Sequence, residues 1–431
     1  MALISNHEGS SKKVRKFLNK EDRISSLPDS LLVHILSFLP TKYAVGTNNS
    51  PSNFMNFVDR VLLHHDLSFI QKFRLNFQNY NVDDFSKIHT WTSIAIKRGV
   101  QELDIQISNC PSVQRSFPLS LFTCPTLVVL KLGSFIGFSV PCSTHFKSLK
   151  VLHLSVWFFG DEVMENLFCN YPVLEELFIE AALDLRGFWG GDDEDDEREI
   201  VVTAPNLEDL TLQDDFLSFY ELNDLISLVK ADVNIGECCT KSMVIKERAN
   251  SVFEVLEEIS TVKYLSLGAR TMGVLDHADD DDNLPLFPNL IRLELHVNKC
   301  YGWNHLLDLL NSMPNLQCLV LEKSKECGRP EDDAYENFNF VEQQVVHLCL
   351  VMHLQDVKIN GFRGLSGELR LIEYFLRNSK VLHKMEIENF NSEEKQEREF
   401  LDKLQMLPRG LITCQILITR KENFAPASTQ K

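Results

Sequence analysis

The sequence lacks the features that mark several large classes of protein. No window approaches the roughly 18 uncharged apolar residues of a membrane span, and the first 20 residues contain no apolar run of signal-peptide length. The 11 cysteines are scattered without a C-x-x-C pair, and only Cys238 and Cys239 are close together. Such cysteines are typical of small buried side chains, not of a disulfide framework or a zinc site. We therefore expect a cytoplasmic or nuclear protein with no membrane partner.

Positive charge is scarce as well. The 431 residues include 43 Lys and Arg against 61 Asp and Glu, which gives a formal net charge of -18. This balance argues against binding to a nucleic-acid backbone, which needs clustered cations, and favours basic partners or simple solubility. The basic run SKKVRK at residues 11–16 is interpreted either as a nuclear-import patch or as part of a solvated, disordered tail.

Motifs for catalysis are also missing. The sequence contains no G-x-S-x-G, H-E-x-x-H, P-loop or G-x-G-x-x-G pattern. His153, His296 and His347 lie inside or beside segments that we assign to strands, and we interpret each as a structural histidine. The sequence therefore predicts a non-catalytic protein with no catalytic residues.

Three polar segments are candidates for holding a metal ion. His64, His65 and Asp66 are adjacent, and acidic runs occupy residues 191–199 and 277–283. The triplet lacks further ligands at suitable spacing, and neither run has the D-x-D-x-D-G order of a calcium loop. We interpret the triplet as a polar helix end and the runs as solvated loops, so the sequence predicts no metal site and no cofactor.

One phrase, L-x-x-L-x-L, recurs from residue 100 onward, and successive copies start 21 to 38 residues apart. Its last two apolar residues alternate along a short strand and point inward, while the intervening residues point outward. No copy can bury its apolar row alone, so the phrase predicts an α/β leucine-rich-repeat solenoid. The copies are VQELDI at 100, LVVLKL at 127, LKVLHL at 149, LEELFI at 174, LEDLTL at 207, a weaker LVKADV at 228, VKYLSL at 262, LIRLEL at 290, LQCLVL at 316, LQDVKI at 354 and LHKMEI at 382.

Further regular elements flank these copies. Apolar spacing or alternation predicts a helix from residue 54, a strand over 72–77, helices over 82–97, 367–380 and 392–405, and a last strand over 413–418. In the helix over 367–380 the predicted buried face is Leu369, Ile372, Phe375 and Leu376, and Asn378 is the predicted C-terminal cap.

The outward positions of the repeat strands form a candidate protein-binding surface. Charged, aromatic and apolar side chains are mixed there, as on a protein-binding concave face; the alternative is that this is only the exposed side of a sheet. The residues assigned to target binding are Lys131, His153, Glu176, Phe178, Asp209, Tyr264, Arg292 and Glu294, and equivalent positions hold Val129, Thr211, Ser266, Val320, Lys358 and Glu386.

A second candidate binding element is DRISSLPDSLLVHILSFLPTK at residues 22–42. Pro28 suits the first turn of a helix, Asp29 places negative charge near its N-terminus, and Pro40 ends it. At 100° per residue the apolar side chains cover roughly half of the helix circumference, more than one neighbour usually needs. One edge is then free for a partner protein, or the rest of the chain covers both edges.

These segments resemble the plant family of F-box proteins with leucine-rich repeats and a C-terminal FBD region. Residues 22–45 resemble the opening of the F-box, and ELRLIEYFLRNSKVLHKMEI with the closing LPRG and CQILI resembles the FBD. The resemblance implies that a helical module binds the Skp-type adaptor of a cullin-RING ubiquitin ligase while the repeats hold a target protein. The adaptor-binding residues that it implies are Leu27, Pro28, Leu31, Leu32, Ile35, Leu36, Leu39 and Pro40.

The resemblance is interrupted after Val45. Where the family continues with the remaining helices of the F-box, residues 46–53 read GTNNSPSN, a run that predicts a loop, and family-like sequence resumes at Phe54. We therefore predict a truncated F-box that retains its first helix.

The expected organisation has six parts: a disordered basic tail (1–20), the truncated F-box (21–60), a helical connector (61–99), the leucine-rich repeats (100–340), the FBD region as a terminal cap (341–420) and a disordered tail (421–431). The expected function is that of a substrate-recognition subunit of an SCF-type ubiquitin ligase. The alternative is a repeat scaffold that binds a protein but has lost its coupling to the ligase.

Overall fold

The computed structural model describes most of the chain beyond residue 68 and a few residues before it. The described residues are 55–56, 58–60, 62, 69–77, 85–107, 117–134, 146–156, 171–181, 199–215, 219–236, 244–276, 284–297, 306–323, 346–362, 365–389, 400 and 402–420. The chain divides into two compact units, Met1–Leu67 and Ser68–Lys431. In the first unit the described residues are helical, with Met55, Val58 and Leu62 buried. The predicted helix at 22–42 and all eight proposed adaptor-binding residues lie outside the described residues.

The second unit is built on an open, parallel sheet of 13 strands. Its order is β1-β2-β3-β4-β5-β7-β9-β10-β11-β12-β13-β14-β15, so strands adjacent in the repeat sequence are also adjacent in space. The strands are β1 Lys72–Phe77, β2 Glu102–Ile107, β3 Val129–Ser134, β4 Val151–Val156, β5 Glu176–Ala181, β7 Asp209–Asp214, β9 Lys230–Ile235, β10 Tyr264–Leu267, β11 Arg292–Val297, β12 Cys318–Lys323, β13 Asp356–Phe362, β14 Lys384–Asn389 and β15 Gln415–Arg420.

Each copy of L-x-x-L-x-L provides one of these strands. The strand begins at the third residue of the phrase, and all except β10 continue past its last residue. The second and third apolar positions are buried, as Leu293 and Leu295 on β11 illustrate, and the residue between them is only partly covered on every one of these strands except β12, where Val320 is buried. Alternation along a strand places these leucines on one face of the sheet, where stacked copies shield them from water. The predicted α/β repeat architecture is thus confirmed at the level of strands, burial and pairing.

The turn that precedes a strand fixes its register to the previous repeat. In the copies that begin with Pro-x-Leu, the proline lies in a turn, and in all of them except Pro172-Val173-Leu174 the side chain after the proline donates to a backbone carbonyl of the preceding repeat. Asn206 donates to the carbonyl of Pro172 at 2.5 Å, and Asn315 donates to that of Pro288 at 2.8 Å. Ser148 makes the equivalent bond to Pro125 at 2.9 Å. These bonds satisfy carbonyls that no strand can reach.

Several helices accompany the sheet in the part of the chain that the structure describes. They are α1 Phe85–Lys97, α2 Val244–Glu258, α3 Ala269–Leu275, α4 Leu306–Ser312, α5 Leu348–Met352 and α6 Ser366–Asn378. Helix α3 contacts β9 and β11, while α5 contacts both α4 and α6. No helix in the described part of the chain is long and apolar enough to cross a membrane.

The helix predicted over 82–97 corresponds to α1. Phe85, Ile88 and Ala95 are buried as predicted, whereas Ile94 is only half-buried and Trp91 takes its place in the core. The large indole fills more of the space under the strands than an aliphatic side chain would.

A second, two-stranded parallel sheet lies beside the main one and was not anticipated. It pairs β6 Glu199–Thr203 with β8 Phe219–Asn223. Glu199, which we assigned to an acidic loop, is instead the first residue of β6, because Ile200 and Val202 alternate as buried side chains behind it. Buried Asp214 at the end of β7 accepts a hydrogen bond from the Tyr220 hydroxyl at 2.9 Å, and burial raises the pKa of that hydroxyl well above its usual value.

In the part of it that the structure describes, the C-terminal region continues the main sheet. Strands β13, β14 and β15 pair in the register of the preceding repeats, and Leu417 on β15 is 40% exposed. Helix α6 matches the predicted helix over 367–380, but Leu369 is only half-buried and the C-terminal cap is Ser379, not Asn378. Asn378 instead donates its side-chain amide back to the carbonyl of Tyr374 at 2.9 Å.

Candidate target-binding face

The face of the main sheet opposite the buried leucines carries three rows of side chains, with one residue per strand except that the short strand β10 contributes none to the third row. The rows are defined by the pairing register and run perpendicular to the strands. The first outer row is Lys72, Glu102, Val129, Val151, Glu176, Asp209, Lys230, Tyr264, Arg292, Cys318, Asp356, Lys384 and Gln415. The second outer row is Arg74, Asp104, Lys131, His153, Phe178, Thr211, Asp232, Ser266, Glu294, Val320, Lys358, Glu386 and Leu417. The third outer row is Asn76, Gln106, Gly133, Ser155, Glu180, Gln213, Asn234, His296, Glu322, Asn360, Glu388 and Thr419.

Charge pairs occupy the first strands of this face. Lys72 forms an ion pair with Glu102 across the β1–β2 register, and Arg74 Nε lies 2.6 Å from Asp104 Oδ2. The two cations are more than half exposed, so water screens both pairs and each contributes little to stability.

A cluster of aromatic and apolar side chains follows on β3 to β5. The rings of His153 and Phe178 lie 5.3 Å apart in a tilted arrangement, and His153 Nε2 is 2.5 Å from Glu176 Oε1. Val129 and Val151, next to these rings in the first outer row, are only half-buried. An aromatic ring that is partly exposed beside small apolar side chains is the composition of an interface centre.

Asp209 and Asp232 place carboxylates at the centre of the sheet, on β7 and β9. Lys230 Nζ lies 2.8 Å from Asp209 Oδ2, and this hydrogen bond raises the pKa of Lys230. Asp232, on the same strand, has a raised pKa because burial disfavours its charged form, although His296 and a hydrogen bond from Ser266 oppose that effect.

A further cluster lies on β10 to β12. Tyr264 is 42% exposed and pairs in register with Arg292. The Arg292 guanidinium lies 3.4 Å from Glu294 Oε2 and 3.4 Å from Cys318 Sγ. Burial raises the pKa of the Cys318 thiol, so it stays protonated at neutral pH and acts here as a packing side chain.

All eight residues predicted to bind a target lie on this face. The structure brings them together in two groups. The first group is Lys131, His153, Glu176, Phe178 and Asp209 on β3, β4, β5 and β7, and the second is Tyr264, Arg292 and Glu294 on β10 and β11.

The prediction of an outward side chain was wrong at one of the equivalent positions. Val320 is buried, with 3% of its surface exposed, whereas the pattern placed it outside. Its register partners on the two sides are Glu294 and Lys358, long side chains that can lie over the smaller valine.

Two sets of residues on this face were missed. Lys230 and Asp232 were overlooked because LVKADV is a weak copy of the phrase, although its apolar alternation is intact. The third outer row lies beyond the last leucine of the phrase, and the strands continue into it in LELHV and LVLEK. Following polar-apolar alternation to its end would have identified His296 and Glu322.

Comparisons with known proteins agree with this architecture. The family model described as the LRR repeats of FBD-associated F-box protein At5g56370 matches residues 88–270, and the model described as FBD matches residues 342–387. Neither matched segment includes residues 21–60. The FBD match covers β13, α6 and part of β14, which shows that this region contributes strands to the repeat sheet.

Relatives from Arabidopsis thaliana match nearly the whole chain. The F-box/FBD/LRR-repeat protein At1g78750 is 29% identical over 467 aligned residues, covering 94% of this chain and 98% of the relative. The putative FBD-associated F-box protein At5g53635 is 30% identical over 447 residues, covering 91% of this chain and 99% of the relative. An alignment of 467 positions exceeds the 431 residues of the chain, so the first relative contains residues that have no counterpart here.

Proposed function

Since the chain belongs to the plant family of F-box/FBD/LRR-repeat proteins, we propose that it is a non-catalytic substrate-recognition subunit of an SCF-type ubiquitin ligase. In this proposal the helix over residues 22–42 binds the Skp-type adaptor and the outward face of the sheet binds a target protein. The subunit raises the local concentration of the target near the ubiquitin-conjugating enzyme and performs no bond chemistry itself. We expect it to act in the cytoplasm, the nucleus or both.

The observation that carries the proposal is the mixed surface of the outer rows. Thirteen strands present aromatic, apolar and charged side chains at regular spacing on one rigid sheet, and Phe178 and Tyr264 are the aromatic members of the two groups. Binding sites built on strands hold their side chains more firmly than sites built on loops. A protein partner is the ligand class that best uses so long and so varied a face.

Coupling to the ligase is tested by capture of the adaptor. The full chain is compared with a Leu31→Asp/Ile35→Asp variant in a pull-down of purified Skp-type adaptor. A receptor retains the adaptor and the variant loses it, because two carboxylates cannot be buried in an apolar contact without a large desolvation cost. Equal, negligible retention by both proteins removes the ligase role.

Target capture requires a separate experiment. Proteins crosslinked to the full chain in plant extract are compared with those crosslinked to a Phe178→Ser/Tyr264→Ser variant, with Ile226→Ser as the control. Ile226 is 84% exposed in a turn and lies off the sheet face. Proteins lost with the double variant and kept with the control are the targets. If the same proteins are recovered with all three chains, the outer rows do not bind a target.

A second candidate function is target binding without coupling to the ligase. It is favoured by the loop sequence GTNNSPSN at residues 46–53 and by the residues of the relative that have no counterpart in this chain. Inserting the corresponding segment of the relative after Val45 separates the two candidates. Adaptor binding that appears only after the insertion supports the uncoupled scaffold, whereas equal binding before and after supports the receptor.

A further inference from the structure

Three side chains with metal-binding atoms meet where β11 and β12 lie side by side. Glu294 and His296 are two residues apart on β11 and therefore project from the same face. Glu322 on β12 pairs in register with His296. One ligand atom from each of the three lies within 4.8 Å of the other two, and all three side chains are between one quarter and one half exposed.

The distances suit an ion held between the side chains. His296 Nε2 is 3.5 Å from Glu294 Oε1, and one nitrogen of the ring lies within 4.8 Å of a carboxylate oxygen of each glutamate. Nitrogen and oxygen ligands bind zinc at about 2.0–2.1 Å, which places two ligands of a tetrahedral site about 3.3 Å apart. The separation between Nε2 and Glu294 already matches this value, and rotation of the Glu322 side chain would bring its carboxylate to the same nitrogen. The strands fix the backbone, so only side-chain torsions have to adjust.

The charge around the three side chains also favours a cation. Asp232 on β9 faces the same cluster, since both His296 and Glu294 act electrostatically on its carboxyl group. The Arg292 guanidinium contacts the other oxygen of Glu294 at 3.4 Å and compensates one negative charge. The carboxylates of Asp232, Glu294 and Glu322 outnumber the cations Arg292 and Lys230 that act on them, which favours binding of a divalent cation.

We propose that Glu294, His296 and Glu322 form a binding site for a divalent transition metal of the zinc class on the outward face of the sheet. The imidazole favours zinc over calcium and magnesium, which prefer oxygen ligands alone. Three protein ligands leave a fourth position open, and on this face it points towards solvent, where water or a carboxylate or imidazole of a bound protein can occupy it. The site requires neither the adaptor nor the ligase, so it holds or fails independently of the proposed function.

The test uses the chelator-treated full chain titrated with zinc chloride in a calorimeter. His296→Ala and Glu322→Gln should each remove one bound ion or weaken its binding by about 10-fold or more, because each deletes a direct ligand. His153→Ala is the matched control, because His153 has Glu176 at 2.5 Å on the same face but is not part of any three-ligand group in the described residues. Titration with Co²⁺ adds a signal from the metal itself, because the visible absorption of bound Co²⁺ changes when the imidazole ligand is removed.

Two results would contradict the proposed metal site. Zinc binding that is unchanged in both His296→Ala and Glu322→Gln overturns the proposal, as does an equal loss in the His153→Ala control. Glu322→Gln keeps the shape of the side chain and should not disturb the fold. A far-ultraviolet circular dichroism spectrum identical to that of the parent chain then excludes unfolding as the reason for a loss of zinc binding.

Discussion

Lys323, near the end of β12, donates a hydrogen bond from Nζ to Oε1 of Glu368 in the first turn of α6 at 2.9 Å. The Glu368 side chain is only 1% exposed and that of Lys323 only 14%. The other oxygen of Glu368 accepts the backbone N–H of Leu365 at 3.0 Å. A single carboxylate therefore caps helix α6 and ties it to the last repeat before the FBD match.

Replacing Lys323 should destabilise the protein strongly. In Lys323→Met the carboxylate of Glu368 stays buried but loses its cation, and breaking a buried ion pair from one side costs about 3–5 kcal/mol. The free energy of unfolding in urea measures the loss. The double variant Lys323→Met/Glu368→Leu should recover part of it, since no charge is then left buried. If Lys323→Met alone costs less than the double variant, the ion pair does not stabilise this junction.

Gly410 should tolerate no side chain. A Cβ at this position would lie 2.5 Å from the carbonyl oxygen of Arg377 and 2.7 Å from that of Ser379, and its own N–H donates to Leu376 at 2.7 Å. Because backbone atoms at a helix end cannot move aside cheaply, Gly410→Ala should lower the free energy of unfolding by about 1–3 kcal/mol. Thermal unfolding followed by circular dichroism measures the change.

Gly133→Ala is the matched control for that prediction. The added Cβ would meet only the end of the Gln106 side chain, which can rotate towards solvent. We expect Gly133→Ala to lower the free energy of unfolding by less than about 1 kcal/mol, the contribution of the Gln106 to Asp104 hydrogen bond that the substitution breaks. Equal losses at both glycines would contradict the distinction between a backbone and a side-chain obstacle.

The repeated phrase was sufficient to predict the sheet, because its information is local. Leu130 and Leu132, or Leu210 and Leu212, identify a strand and its buried face without reference to distant residues. In the five copies that a Pro-x-Leu turn introduces, the strand begins four residues after the proline. The outward position of all eight predicted target-binding residues followed from alternation alone.

The asparagines after these prolines should stabilise the stack one repeat at a time. Asn206→Ala and Asn315→Ala each remove a hydrogen bond to the preceding repeat, and each should cost about 1 kcal/mol of unfolding free energy. In the double variant the free energy of unfolding should fall by the sum of the two single losses, because the two sites are several repeats apart and share no partner.

A serine variant tests the same hydrogen bond more finely. Ser148 and Ser227 occupy the equivalent position in other repeats and bond to the carbonyls of Pro125 and Pro205. Asn315→Ser keeps a donor and should therefore cost less than Asn315→Ala. An identical loss for both substitutions would show that the side-chain donor at this turn contributes nothing.

The features that the sequence did not reveal depend on distant partners. Glu368 is a polar residue in a helical pattern that favours exposure, and its burial depends on Lys323, 45 positions away. The pairing of His296 with Glu322 lies one position past the last leucine of the phrase, outside the residues that define the repeat. Val320, like Glu368, depends on distant residues, since its cover comes from neighbouring strands.

Acid should destabilise the fold through His347. Its Nδ1 lies 2.5 Å from Asn311 Oδ1, and its Nε2 is buried with no hydrogen-bond partner in the described residues. Burial lowers the pKa of His347 from its usual value of 6.5, an effect that Asp308 partly opposes. The unfolded chain therefore binds a proton here at a pH at which the folded chain does not, so stability falls as the pH drops through the unfolded pKa and is unaffected well above it.

Comparison with His347→Gln isolates this contribution from that of the many carboxylates. The free energy of unfolding, measured in urea at about pH 7.5 and about pH 5.5, should fall further in the parent chain than in His347→Gln. The difference should reach up to about 1.4 kcal/mol, the equivalent of one pH unit below the unfolded pKa. Glutamine retains a donor for Asn311 but cannot be protonated in this range. The loss of stability in His347→Gln therefore reports only the other titrating side chains. Parallel losses in the two proteins would mean that the imidazole takes up a proton as easily in the folded chain as in the unfolded one.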